Sequence, residues 1–157
     1  MSLLLVALGF LLMEPVTYCV HRWVMHGPGL VLHRSHHRGR DAGWEANDAF
    51  PLIFAAIVGA ALAIGFNVPA WSGLVWVGVG VTLYGAAYGL VHDVYIHGRL
   101  PLFRRRFAGF ERLADAHRLH HRFGGEPYGM LLPVIPAALR RRAAASAGRP
   151  ASGATAP

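Results

Sequence analysis

Three apolar runs in a short chain decide most of what this sequence can fold into. Leu3 to Val20 (LLLVALGFLLMEPVTYCV), Pro51 to Val68 (PLIFAAIVGAALAIGFNV) and Trp71 to Val91 (WSGLVWVGVGVTLYGAAYGLV) each reach the roughly 17 to 25 residues a helix needs to cross the hydrocarbon core. Each could alone be a buried helix of a soluble protein. With 157 residues, 54% of them hydrophobic and only 15% charged, too little polar surface remains to wrap three such helices. The expected fold is all-α: an integral membrane bundle of about three spanning helices, with interfacial helices beside it.

Charge placement supplies the topology. Every basic residue is an arginine, and none lies before Arg22 or between Arg40 and Arg99. If the first run crosses once and the second and third form a hairpin over the NVPAWS turn, all the arginines fall on one side. The positive-inside tendency marks that side as cytoplasmic, in bacteria the inner face of the inner membrane. The net charge of +7 and pI near 10.7 then need no nucleic-acid partner. The first run has neither a basic n-region nor a small-x-small cleavage site, so it is expected to stay on the protein. Cys19 is the only cysteine, which rules out an intramolecular disulfide.

Between the runs the chain is polar and patterned. Gly27, Pro28 and Gly29 break the first helix after His26, and a short helical piece should follow. LFRRRFAGFERLADAHRLHHRF alternates apolar and basic residues as a helix at the membrane surface does. EPYGMLLPVIPAAL is too short and proline-broken to span, and belongs at the interface or packed beneath a site. Residues 1–139 therefore form the membrane-embedded domain, and 140–157 (RRRAAASAGRPASGATAP) a low-complexity tail expected to be disordered.

The chemistry lies in the histidines. All ten fall into four short clusters, His21 and His26, then His33, His36 and His37, then His92 and His97, then His117, His120 and His121. The order is H-x4-H, H-x2-H-H, repeated. At about 100° per residue, H-x2-H-H places its three imidazoles on one helical stripe, whereas the five-residue step of H-x4-H turns the second ring about 140° away from the first. The helix must loosen or end between those two, and Gly27 and Gly98 stand where a helix would end. A lone histidine would most simply be an interfacial side chain. Four clusters with none left over point instead to metal, and ten imidazoles exceed what one ion can use, so two ions are expected close together. Imidazole suits iron, zinc, copper and nickel alike.

Two dications held only by neutral ligands call for polar groups nearby. Asp93 follows His92, Asp115 precedes His117, and Glu45 and Asp48 lie in WEAND at the start of the hairpin; helix capping or arginine pairing is the competing role for each. Glu14 sits inside the first apolar run, about two turns below His21 on the same face, and intramembrane carboxylates are functional candidates by default. Its competing role is pairing across the bundle. Tyr84 and Tyr88 precede His92 by two turns and one turn, as pocket-lining residues or packing anchors.

Taken together, HRWVMH, HRSHH, HDVYIH and HRLHH, with WEANDAF and YGLVHD between them, resemble the bacterial β-carotene 3-hydroxylases of the fatty-acid hydroxylase and sterol desaturase superfamily. The resemblance runs from about Met13 to the MLLPVIP stretch. It implies a non-haem di-iron mono-oxygenase that uses O2, with electrons from ferredoxin and an NAD(P)H-dependent reductase, to hydroxylate carbon 3 of each β-ionone ring. β-Carotene would become β-cryptoxanthin and then zeaxanthin. It also implies that the ten histidines are the metal ligands or their immediate surroundings, with Glu14, Asp48 and Asp93 at matching polar positions. HGPGLVLH lacks the aromatic residue expected between the first two boxes and HHRGRDAG lacks the expected proline, departures that bear on ring specificity and leave the ligands intact. The alternatives are another lipid hydroxylase, a ketolase or a desaturase with similar boxes, or a non-enzymatic membrane metal- or haem-binding protein. Haem would require paired histidines on facing spanning helices, and a transporter would require polar groups near the midplane of several helices; neither pattern is present.

Overall fold

The computed structural model of the chain describes residues 1–38, 44–103 and 105–147. All regular structure among them is helical. The first spanning helix, α1 (Ser2–Cys19), passes without interruption into a wider π-helical turn over Val20–Met25. A short helix, α2 (Leu30–His37), follows the Gly27–Gly29 break. The hairpin is α3 (Ala49–Asn67) and α4 (Gly73–Gly89), and α4 also ends in a π-helical turn, Leu90–Ile96. Amphipathic α5 (Ala108–Phe123) and α6 (Ala137–Ala147) complete the chain. Among the described residues, three helices are long and apolar enough to cross a membrane: Ser2–Met25, Ala46–Asn67 and Gly73–Ile96. The spans overlap the three apolar runs, and two extend through their π-turns into the histidine clusters.

Long side chains do not dominate the packing of these helices. Inside lipid there is little hydrophobic gain in bringing two apolar helices together, so contact depends on close backbone approach at small residues. Gly80 of α4 lies so near α1 that a Cβ there would sit 2.8 Å from the Phe10 nitrogen and closer still to the Val6 carbonyl oxygen. Gly9 makes the reciprocal approach to Val77, and Gly78 of α4 admits Leu62 of α3. The glycine-rich third run therefore serves helix packing on two sides. The exposed side chains of Leu3, Leu4 and Ile57 fit faces turned to lipid.

The ends of the helices carry the polar structure. A capping box closes the start of the second span, where the Glu45 N–H donates to Asp48 Oδ2 at 3.0 Å. The Asp48 carboxylate also holds Arg99 through two bonds of 2.6 and 2.7 Å, tying the segment beyond His97 to the root of α3. Gly98 and Gly124 take left-handed conformations, φ 61° and 68°, that let the chain leave the second π-turn and α5 abruptly. Ahead of α5 and in its first turn, Phe103, Phe107 and Phe110 pack around Tyr95, whose hydroxyl donates to Glu111 at 2.6 Å.

Two expectations change. The surface helix begins at Ala108, not at Leu102, because the Phe-rich stretch before it folds back on Tyr95. Helix also continues through Arg140–Arg142 to Ala147, where composition suggested disorder; alanine and arginine are both strong helix formers, and the Arg142 guanidinium lies 4.5 Å from the centre of the Phe123 ring. The rest of the expected tail, and the HHRGRDAG turn after His37 and Arg38, lie outside the described residues.

Replacing Gly80 with Ala should lower stability by about 1–3 kcal/mol through overpacking against α1, read as a lower unfolding midpoint in detergent. Gly85→Ala, on the same helix with nothing within 4 Å of the added methyl, should not.

Candidate metal centre

The five-residue step of H-x4-H is accommodated by the backbone itself. In both π-turns the second histidine donates its backbone N–H to the carbonyl of the first, His26 to His21 at 3.0 Å and His97 to His92 at 2.9 Å. An i→i+5 bond brings the sixth residue round to stand over the first, so both rings point the same way. The helix loosens, as the spacing required, but as a hydrogen-bonded wide turn in place of a frayed end.

All ten histidines come together at one end of the bundle, in two groups of imidazoles. His21, His26, His33, His37 and His120 form one, and His36, His92, His97 and His117 the core of the other. His121 joins the second group, its Nε2 lying 3.1 Å from that of His36. Each H-x4-H serves one group only. Each H-x2-H-H serves both: its first and last imidazoles stay with the preceding pair, and its middle one, His36 or His120, crosses to the other group. The three-ring stripe expected from the sequence is therefore divided between two centres.

Each group converges through Nε2. Neighbouring Nε2 atoms stand 3.0 to 3.2 Å apart, from His97 to His117 at 3.0 Å to His21 and His33 at 3.2 Å. The approach of His21 to His33 cannot be a hydrogen bond, because both ring protons are committed elsewhere. The His21 Nδ1–H donates to the Tyr128 carbonyl at 3.0 Å, His33 Nδ1–H to the Asn47 side-chain oxygen at 2.7 Å, and His120 Nδ1–H to the Gly125 carbonyl at 2.6 Å. The Nε2 atoms of these rings then present lone pairs to one another in a buried space. Such a cage suits a cation. Donors about 2.1 Å from one ion and at right angles to each other stand about 3.0 Å apart, which matches the observed spacing.

Burial keeps the rings neutral, as metal ligation requires. His33 and His37 are pushed down to about 4, and His120 to about 3, in each case mainly by desolvation. His36 and His117 are driven further in the same direction by burial and then by their imidazole neighbours.

The acidic candidates separate. Asp93 accepts the His92 Nδ1–H at 3.1 Å, and Glu45 Oε2 lies 3.6 Å from His36 Nδ1. The remaining three make other contacts. Asp48 closes the capping box of the turn before α3 and holds Arg99; Asp115 has a 68% exposed side chain paired with Arg118; Glu14 binds Tyr84 and a loop beyond α5. Tyr84 is buried against Glu14, whereas the Tyr88 ring lies 5.1 Å from that of His92. Asn47, Gly125 and Tyr128 escaped the sequence reading. Asn47 stood within the quoted WEAND as a possible signal, whereas a backbone carbonyl has none.

The profile of the fatty acid hydroxylase family matches residues 6–138. The chain belongs to that family. A β-carotene hydroxylase of Paracoccus sp. (strain PC1) is 41% identical over 129 residues, covering 80% of this chain and 77% of the relative. Another of that name from Pseudescherichia vulneris is 39% identical over 152 residues, 94% of this chain and 85% of the relative, and one from Pantoea ananas 37% over 145 residues, 87% and 82%. No solved structure matches.

The depressed pKa values carry a stability consequence for metal-free protein. His33 and His37 take up protons near 6.5 when unfolded but only near 4 when folded, so the unfolded state binds more protons between those values. Stability should fall as pH drops from 6.5 towards 4, measured as the thermal midpoint of the apo-protein against pH.

Proposed function

We propose that the chain is a membrane-embedded di-iron mono-oxygenase that hydroxylates carbon 3 of the β-ionone rings of carotenoids, converting β-carotene through β-cryptoxanthin to zeaxanthin. The observation that carries this reading is the pair of lone-pair cages built from four histidine motifs at the end of a lipid-exposed bundle, in a chain similar over most of its length to β-carotene hydroxylases. The all-nitrogen, closely spaced donor set fits two iron ions, and imidazole is a common iron ligand. His21, His26, His33, His37 and His120 would hold one and His36, His92, His97, His117 and His121 the other. Bound iron supplies the redox chemistry that activates O2; overall, O2, two electrons and two protons convert a C–H bond to C–OH and release one water.

The protein's part is placement and exclusion. Imidazoles whose protons are fixed on Nδ1 keep their orientation, and burial keeps bulk water from the reacting volume. Both π-turns are continuous with spanning helices, so the centres lie where a polyene dissolved in the bilayer can bring its ring end without leaving lipid. Tyr88, whose ring lies 5.1 Å from that of His92, would line the ring pocket, whereas Tyr84 is committed to Glu14.

A cleft of about 440 Å³ lined by Ile96, His97, His117, Arg118, His121 and Arg122 reaches the second centre. Its two arginines favour an acidic electron donor such as ferredoxin, served by an NAD(P)H-dependent reductase. The arginine distribution supports a cytoplasmic side for this end, in a bacterium that of the inner membrane.

Expression in a bacterial host that accumulates β-carotene should yield β-cryptoxanthin and zeaxanthin, resolved by chromatography. Iron-loaded protein that leaves β-carotene untouched would refute the carotenoid assignment. His36→Ala or His120→Ala should abolish product, each removing the ring that crosses between centres, while truncation after Arg142 should not.

A further inference from the structure

Glu14 is a carboxylate within an apolar spanning helix, and it accepts four hydrogen bonds from the described residues. Tyr84 donates its hydroxyl to Oε2 at 2.6 Å; the backbone N–H groups of Met130 and Leu132 donate to Oε1 at 3.0 and 2.9 Å, and that of Leu131 to Oε2 at 3.2 Å. Three consecutive backbone donors from a non-helical segment thus close on one intramembrane carboxylate. Irregular backbone beside hydrocarbon is tolerated only where its polar groups find partners inside the protein, and Glu14 provides them.

The same segment reaches the imidazoles with its other half. It leaves α5 at Gly124, presents the Gly125 carbonyl to His120 Nδ1 and the Tyr128 carbonyl to His21 Nδ1, and arrives at Glu14 two residues later. Between those carbonyls, the Glu126 carboxylate accepts from Tyr18 and Arg22 of the first span, at 2.7 and 3.0 Å. Both histidines oriented by the segment belong to the first cage. In the second, His92 is oriented by Asp93 on its own helix and His36 lies beside Glu45, so neither depends on this segment.

We propose that Glu14 is a positioning residue for the first cage alone, acting on His21 and His120 through the carbonyls of the 125–132 segment and touching neither metal nor substrate. The assignment rests on the two-metal reading of the site. Loss of the anchor frees the Gly125 and Tyr128 carbonyls to drift, and the two rings lose their fixed tautomer and orientation. Removing such an outer partner typically costs 10–100-fold in metal affinity.

Glu14→Gln keeps the size of the side chain and removes its charge and one acceptor. Gly129→Ala leaves the carboxylate in place and displaces the loop, since its Cβ would lie 2.9 Å from Glu14 Oε1. Full-length protein in lipid nanodiscs, stripped of metal, would be titrated with Co(II) and followed by visible absorption, and its imidazole nitrogens followed by 15N NMR without metal. In both variants one of the two Co(II) ions should bind about 10–100-fold more weakly while the other keeps its affinity and spectrum, and the His21 and His120 nitrogens should shift while those of His92 do not. Two ions bound as in the wild type, or both weakened together in a folded variant, would overturn the proposal. A wild-type protein that takes up fewer than two Co(II) ions would overturn the two-metal reading instead; the NMR arm then decides on Glu14, unchanged His21 and His120 signals counting against it.

Discussion

An imidazole can offer one nitrogen to a metal only if its proton stays on the other, and much of this structure serves that requirement. Where the Nδ1–H finds an oxygen, Nε2 is left as a lone pair of fixed direction. Tyr128, Gly125, Asn47 and Asp93 supply such oxygens from three different parts of the chain. Each oxygen in turn has to be held, and the helix caps, the Asp48–Arg99 pair and the Glu14 anchor do so. The polar groups that look scattered in the sequence are a scaffold of proton acceptors around two points.

The membrane sets where that scaffold can be built. Three apolar helices meet through glycines, with little to distinguish one depth from another. Specific structure begins only where the spans end, and there the helices widen instead of stopping. Because the π-turns continue the spans, the first ring of each H-x4-H pair is carried on the same rigid rod that crosses the bilayer. A site so mounted is positioned by helix packing tens of ångströms long, which gives a short chain a precision that loops alone would not.

The spans, the short α2, the surface helix and the histidines themselves were legible from sequence, because hydrophobic length and side-chain spacing report on them directly. The five-residue step in HRWVMH and HDVYIH revealed that the helix had to loosen. It could not reveal how, since an i→i+5 bond has no side-chain signature of its own. The partition of HRSHH and HRLHH between centres was hidden for a related reason: a helical stripe says which rings lie together on one helix, and only the facing elements decide which convergence point each ring meets. Among the acids, sequence distance misleads both ways. Asp115, two residues before His117, turns to Arg118, whereas Glu14, seven residues from His21, binds a segment more than a hundred residues later whose carbonyls meet His21 and His120. Alanine-rich α6 read as low complexity because composition alone does not separate a loose coil from a helix with a small-residue face.

His36 and His120 reach across from one centre to the other, each from a helix whose remaining histidines stay behind. Each three-histidine helix is thereby a rigid strut fastened at both ends, and the gap between the two convergence points is gauged by the rise of a single helical turn. A displacement of the whole strut would be felt at both points, whereas a ring that turns about its own side-chain bonds is not passed on. The two halves of the site thus share their spacing while the aim of each imidazole stays local.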